Sequence, residues 1–292
     1  MKLGIIGGSG LYEIDGMEDI RENIVETPFG KPSDILFSGT LAGQEIVFLA
    51  RHGKGHLIAP SEINHRANIF AMKTLGVTHI ISISAVGSLR ERMRPRDVVI
   101  IDQYFDRRRA GSSDTFFGDG IVAHIAFGNP VCREMAVLAA EAARKSIEES
   151  GDDSRHIHTT GTYVNMEGPA FSTKAESKFY RDCGFHVIGM TNLPEAKLAR
   201  EAEICYVTVA MVTDYDSWHP DHDQVTVDMV IEHLNSNTIL GKDIVRHAAA
   251  ALKDIPGECD CCNALKASLI SNMDMVSNDR KLVLAPIIGK YL

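Results

Sequence analysis

Short apolar, strand-like runs alternate with segments of helical periodicity along this 292-residue chain. That alternation restricts the fold to a sheet with helices packed on its faces. The runs share a second property, because each stops at a small, polar or charged cluster. LGII ends in Gly7-Gly8-Ser9-Gly10, IVFLA in Arg51-His52-Gly53, IISIS in Ala85-Val86-Gly87-Ser88, HVIG in Met190-Thr191-Asn192, and ICYVTVAMV in Thr213-Asp214-Tyr215-Asp216. Open α/β sheets bind ligands beyond the carboxyl ends of their strands, so the five ends read as one composite site.

Strands are expected at Leu3–Ile6, Ile35–Ser38 paired with Glu45–Ala50, His79–Ser84, Asp97–Gln103, Thr159–Asn165, His186–Met190 and Tyr206–Thr213. Helices are expected over Asn64–Leu75, stopping at Gly76, and over the Ala-rich Glu134–Ser150, stopping at Gly151. Thr173 and Glu176 have capping-box spacing, and Asn192 precedes Pro194 and Glu195 as an N-cap would. Residues Thr226–Leu252 and Asn263–Met275 also read as helical, joined by a loop at Pro256–Cys262. No repeat or Pro/Gly/Ser-rich linker divides the chain, so residues 1–292 are expected to form a single domain.

With 45% hydrophobic and 24% charged residues the chain can bury a sizeable core. A net charge of −9 argues against a nucleic-acid surface, so an anionic ligand needs a local cationic pocket. No stretch reaches the roughly 20 apolar residues of a membrane span, and no signal pattern precedes the first strand; neither a membrane partner nor export is expected, and the setting reads as cytoplasmic. Cys132, Cys183 and Cys205 are isolated and read most simply as core residues. Cys259-Asp260-Cys261-Cys262 is too crowded for ordinary four-cysteine zinc spacing and leaves two readings open, a vicinal redox pair and an inert surface loop.

The Gly7–Gly10 loop offers backbone N–H groups and the Ser9 hydroxyl to an anion, or is simply a tight turn. Neither the dinucleotide glycine fingerprint nor a Walker A sequence is present. Arg51 carries a planar fork of donors suited to phosphate, with His52 as a further donor, unless the pair is a solvated strand end. Ser84 and Thr191 add hydroxyls. Asp214 and Asp216 are the sharpest clue: two carboxylates at i and i+2 on one turn repel, which raises one pKa and supplies a proton donor near neutral pH. The plainer alternative is an acidic turn running into Ser217–Asp223, whose His/Asp spacing fits no familiar metal pattern.

Taken together, IIGGSGLYEI, ARHGKGH followed by Pro60 and Asn64, SAVGSLRE, DQYFDR, EGPAFSTKAES, GMTNLPEAKLARE and MVTDYDSW resemble the purine nucleoside phosphorylase superfamily, and within it the S-methyl-5′-thioadenosine phosphorylases. The likeness runs from Leu3 to about His233. It implies a three-layer α/β sandwich with a mixed, partly barrel-like sheet, assembled as a homotrimer or a hexamer. It implies phosphate held by Ser9, Arg51, His52, Ser84, Ala85 and Thr191, with Met190 against the ribose and Phe171 against the purine. Asp214 and Asp216 would face N7 and the exocyclic amine, Val227 and Val230 would wall the 5′ pocket, and His124 would reach a neighbouring subunit's 5′ pocket. Ser172, Asp214 and Val227 stand where 6-oxopurine enzymes carry Glu, Asn and His, so adenine-type substrates are favoured over the 6-oxopurine or methylthioinosine alternative. The implied reaction takes a nucleoside and inorganic phosphate as co-substrates, with no metal or organic cofactor. The resemblance to C-x-C pairs of some thermostable relatives further implies an oxidised pair in the Cys259 loop.

Overall fold

The computed structural model describes residues 1–8, 15–108, 114–220 and 227–292, the side chains of 227–232 excepted. In chain order the elements are β1 (Leu3–Gly7), β2 (Met17–Asn23), β3 (Leu36–Leu41), β4 (Gln44–Ala50), α1 (His65–Thr74), β5 (His79–Ser88), β6 (Val98–Ile100), β7 (Gln103–Asp106) and α2 (Arg133–Ser150). There follow β8 (Ile157–His158), β9 (Thr162–Asn165), α3 (Lys174–Asp182), β10 (Val187–Gly189), α4 (Asn192–Glu201), β11 (Cys205–Asp214), α5 (Val227–Ala251), α6 (Asn278–Val283) and α7 (Ala285–Ile288). The strands form one mixed sheet that does not close, running β2-β3-β4-β1-β5-β10-β9-β7, with β11, β6 and β8 branching from β5.

Alternation along the inner strands sets the layers. Leu3 and Ile5 of β1 join Ile81, Val207 and Val209 in a core covered by α2 and α5. Ile6, Val47 and Ile80 face the opposite core, covered by α1, α4 and α7. Side chains on alternate faces of buried strands make a three-layer α/β arrangement, as the family resemblance implies. No helix of the described residues is long and apolar enough to cross a membrane.

Strand β5 is where the sheet forks. One edge pairs with β11 in parallel from His79 to Gly87. The other edge pairs with β1 only as far as Ser82 and then with β10 at Gly87 and Ser88. Between those partners Ile83–Val86 presents an edge that neither strand covers, which is the kind of switch point where α/β sheets bind ligands.

Several local expectations are corrected. The MEDIREN strand β2 was not expected, because it is an exposed edge strand whose charges hide any apolar alternation. Asp97–Gln103 is two strands: β6 pairs with β11, whereas β7 pairs with β9. Residues 263–275 form no α-helix, only short 3-10 turns at their two ends (Asp260–Asn263 and Met273–Met275), since the backbone between bonds outward to the 122–124 segment: Ile270 N donates to Val122 O, His124 N donates to Ser268 O, and Ala123 bridges Leu269. The N-cap of α4 is Thr191, because the Asn192 amide is committed to Ser82, Tyr206 and Thr208. Cys183, expected in the core, is exposed beyond α3. The capping box at Thr173 and Glu176 is present, and Gly151 closes α2 in the left-handed conformation at φ 66°.

Candidate active site

The uncovered edge of β5 forms the floor of a cavity of about 380 Å³. Gly8, Arg51, His52, Ser84, Ala85, Phe171, Met190, Thr191, Asp214 and Asp216 line it together, as the sequence clusters require. His56, Pro60, Met166, Met211, Leu234, Asn237 and Thr238 are also part of the wall. Ser172 is buried beside it; its carbonyl accepts from Ser217 Oγ at 2.7 Å, and it does not line the cavity. His124 is exposed and does not line the cavity of its own chain. Ser9 and the side chains of Val227 and Val230 lie outside the described residues.

One end of the cavity is carboxylic. Strand β11 carries an extra residue between Val212 and Asp214 relative to β5, so its last carboxylate is re-aimed where β11 meets Gly87. Thr213 Oγ1 donates to Asp214 Oδ2 at 2.7 Å, and Asp216 N donates to Oδ1 at 2.8 Å. Burial outweighs these bonds and pushes the Asp214 carboxyl up to about 6. Asp216 is also raised by burial, and its buried Oδ2 has no hydrogen-bond partner among the described residues. The pair sits against Gly87, where a Cβ would lie 2.9 Å from Asp214 Oδ1 and 3.3 Å from Asp216 Cβ.

The other end is cationic, but not as an open fork. Arg51 is 2% exposed and paired with Glu195, its Nε donating to Oε1 at 2.5 Å and its Nη2 to Oε2 at 3.3 Å. Nη2 also donates to Ser82 Oγ, and Nη1 to the Ile83 carbonyl. Of five guanidinium N–H groups, these bonds leave one on Nη1. Burial would raise the Glu195 carboxyl, but the Arg51 charge beside it holds it below its usual range. Glu195 Oε2 further accepts from Ser82 Oγ and Tyr206 OH, and Tyr206, Thr208 and Tyr104 continue the chain of bonds beneath the cavity. Satisfied buried networks of this kind hold one geometry.

His52 differs from its expected role as a donor. Its Nδ1 lies 2.9 Å from the Ile58 carbonyl, which assigns the proton to that nitrogen, and its ring stacks on His56 at 4.2 Å. Burial and then the Arg51 charge push the ring pKa down to about 4. The ring is therefore neutral near pH 7, with Nε2 an acceptor. Buried His65, also lowered to about 4 by burial, stands 3.9 Å from Glu195 Oε1.

Sequence reasoning missed Glu195, Ser82 and Tyr206, whose partners are remote in the chain. Glu195 carried a usable signal, being a carboxylate on a helix otherwise lined by buried Leu193, Ala196 and Ala199. Leu234 and Thr238, at helical spacing on α5, were also missed.

A family model described as the phosphorylase superfamily matches residues 2–250. The S-methyl-5′-thioadenosine phosphorylase of Koribacter versatilis is 56% identical over 99% of this chain and 96% of its own length. That of Gloeobacter violaceus is 54% identical over 99% and 96%. Among solved structures, a methylthioadenosine phosphorylase from an antarctic soil metagenomic library superposes with a TM-score of 0.91 at 43% identity, covering 98% of each chain. A methylthioadenosine phosphorylase from Schistosoma mansoni in complex with adenine superposes at 0.80 with 36% identity, covering 91% of this chain and 96% of its own.

Proposed function

This chain belongs to the phosphorylase superfamily, and on that premise we propose that it cleaves S-methyl-5′-thioadenosine with inorganic phosphate, yielding adenine and 5-methylthioribose 1-phosphate. The observation that carries the reading is one cavity holding a buried, protonatable Asp214 opposite a neutral His52 and an anchored Arg51. A purine anion leaves poorly, so a proton delivered from Asp214 to N7 lowers the barrier to breaking the N-glycosidic bond. Asp216 accepts from the 6-amino group through its unpartnered Oδ2.

Phosphate meets Ser84, Thr191, the remaining Arg51 N–H and His52. At neutral pH the dianion still carries one P–OH, and Nε2 of neutral His52 accepts it, turning the bare oxygens towards the sugar. Held there, phosphate stabilises the positive charge growing at the anomeric carbon and then bonds to it. Phe171, 45% exposed, stacks on the purine from the rim, and Met190 lies against the ribose. The reaction calls on no metal or organic cofactor.

A homotrimer gives exposed His124 a use at a neighbour's 5′ pocket, and light scattering separates it from a hexamer. Six cysteines in a chain of this size are too few for the disulfide framework of a small secreted scaffold, in keeping with a reducing, cytoplasmic setting. The central test is base release from methylthioadenosine, adenosine and inosine with and without phosphate. Phosphate-dependent release of adenine from methylthioadenosine is expected. Release that ignores phosphate would overturn the reading.

A further inference from the structure

The reaction uses none of the six cysteines, yet four of them converge. Cys132 is the N-cap of α2, Cys205 opens β11, and Cys259 and Cys261 come from the turn after α5. Their four Sγ atoms lie within 4.8 Å of one another, with Cys132 and Cys259 at 3.8 Å and Cys205 and Cys259 at 3.2 Å. Cys132, Cys205 and Cys261 are buried and Cys259 is half-buried. The four-cysteine set that the crowded Cys259–Cys262 run cannot supply alone is completed by two residues that looked isolated.

We propose that Cys132, Cys205, Cys259 and Cys261 form a structural tetrathiolate site for a tetrahedral, thiophilic ion of the Zn²⁺ type. Zinc binds thiolate at about 2.3 Å, so the edge of the S₄ tetrahedron is about 3.8 Å. One pair already stands at that distance, a second is within about 0.6 Å of it, and every remaining pair lies within 4.8 Å. A disulfide joins sulfurs two at a time at about 2.05 Å and gives no reason for all four to crowd one point. A multi-iron cluster is larger than one ion and would hold its thiolates further apart.

Cys132 sits at the N-terminal end of an 18-residue helix, where its Sγ donates to Glu134 Oε2 at 3.3 Å, a bond that a metal ion would replace. On loading, each thiol that becomes a ligand gives up its proton to solvent, so binding releases protons as four S–metal bonds form.

Four protein ligands leave no open position, which marks a structural rather than a catalytic metal. The site lies at the start of β11, whereas Asp214 ends that ten-residue strand, on the order of 30 Å away. Its effect is mechanical. The ion ties the turn at Cys259–Cys261 to α2 and β11, and so anchors the C-terminal segment whose Leu265, Leu284 and Ile288 pack in the second core.

The test uses the full chain, purified anaerobically without chelator. Elemental analysis should find close to one zinc per chain. Under native conditions Cys183 and Cys262 should alkylate while the other four stay protected until the metal is stripped. Replacing zinc with Co²⁺ should give the intense thiolate-to-cobalt charge-transfer and visible bands of a tetrahedral site. Cys262→Ser should keep its metal, and Cys259→Ser should lose it together with thermal stability. The proposal is overturned if reduced wild-type protein takes up neither Zn²⁺ nor Co²⁺, or if disulfides join the four in anaerobic protein. Undiminished metal in Cys259→Ser would overturn it too. None of these readouts involves base release, so they stand or fall apart from the proposed reaction.

Discussion

Replacing Asp214 by Asn should make the ligand-free enzyme more stable and far less active. The rise of this carboxyl from 3.8 to about 6 corresponds to roughly 3 kcal/mol. The sign follows from proton counting. Between pH 3.8 and about 6 the folded state holds more protons at this group than the unfolded chain does. Stability therefore falls as pH rises through that window, and the whole penalty is present above it. Asn removes the ionisation, and its amide fits the existing bonds. Its oxygen can keep Asp216 N, while its NH₂ donates to Thr213 Oγ1, whose one proton, given to Asp214 Oδ2 in the wild type, turns to the Val86 carbonyl 3.2 Å away.

For a chain of this length 3 kcal/mol moves Tm by on the order of 5 °C. Thermal melts without phosphate or nucleoside should show that gain at about pH 8 and little of it near pH 4, below the raised carboxyl. Phosphate-dependent adenine release should meanwhile drop by roughly 10²-fold or more, the scale of general acid catalysis. An Asn variant that melts no higher at pH 8 would refute the burial account. One that melts higher but turns over normally would remove Asp214 as the acid.

Other variants separate the two ends of the cavity. Glu195→Gln should raise the phosphate KM well above the nucleoside KM, because a neutral amide no longer holds the Arg51 fork; equal changes in both would show that Glu195 does not position the arginine. It should also destabilise by about 3 kcal/mol, the lower range for breaking a buried pair, as read by denaturant titration. Gly87→Ala should cut kcat while the protein stays folded, since the new Cβ meets Asp214 Oδ1 at 2.9 Å; circular dichroism and steady-state kinetics check both halves. His52, lowered to about 4, should stay neutral with its proton on Nδ1 in nitrogen-edited NMR at about pH 6, and a normal titration near 6.5 would remove it as acceptor of the P–OH.

The order of strands and helices was legible because β1, β4, β5 and β11 are apolar runs with capped helices between them, and those signals are local. What stayed hidden depended on partners. Strand β2 exists because β3 offers it an edge, and residues 263–275 lose their helical pattern because the 122–124 segment takes their backbone bonds. The fork at β5 is likewise invisible in a run such as HIISISAVGS, since nothing in those residues says that β1 stops pairing at Ser82.

At the site the sequence exposed residue types but not their states. Arg51 and His52 stood out as a cationic pair, yet folding spends two of the arginine's five N–H groups on Glu195, 144 residues away, and two more on Ser82 and Ile83, and leaves the histidine neutral. The reason is desolvation: a guanidinium buried this deeply needs a carboxylate in contact, and its charge then disfavours a second cation beside it. The same logic of remote partners brings Cys259 to Cys132, 127 residues apart. In both places a residue that reads as plain in isolation, Glu195 in a helical turn or Cys132 before a helix, acquires its chemistry only from what the sheet packs against it. Searching this fold for function therefore means asking which buried polar group has no local reason to be buried.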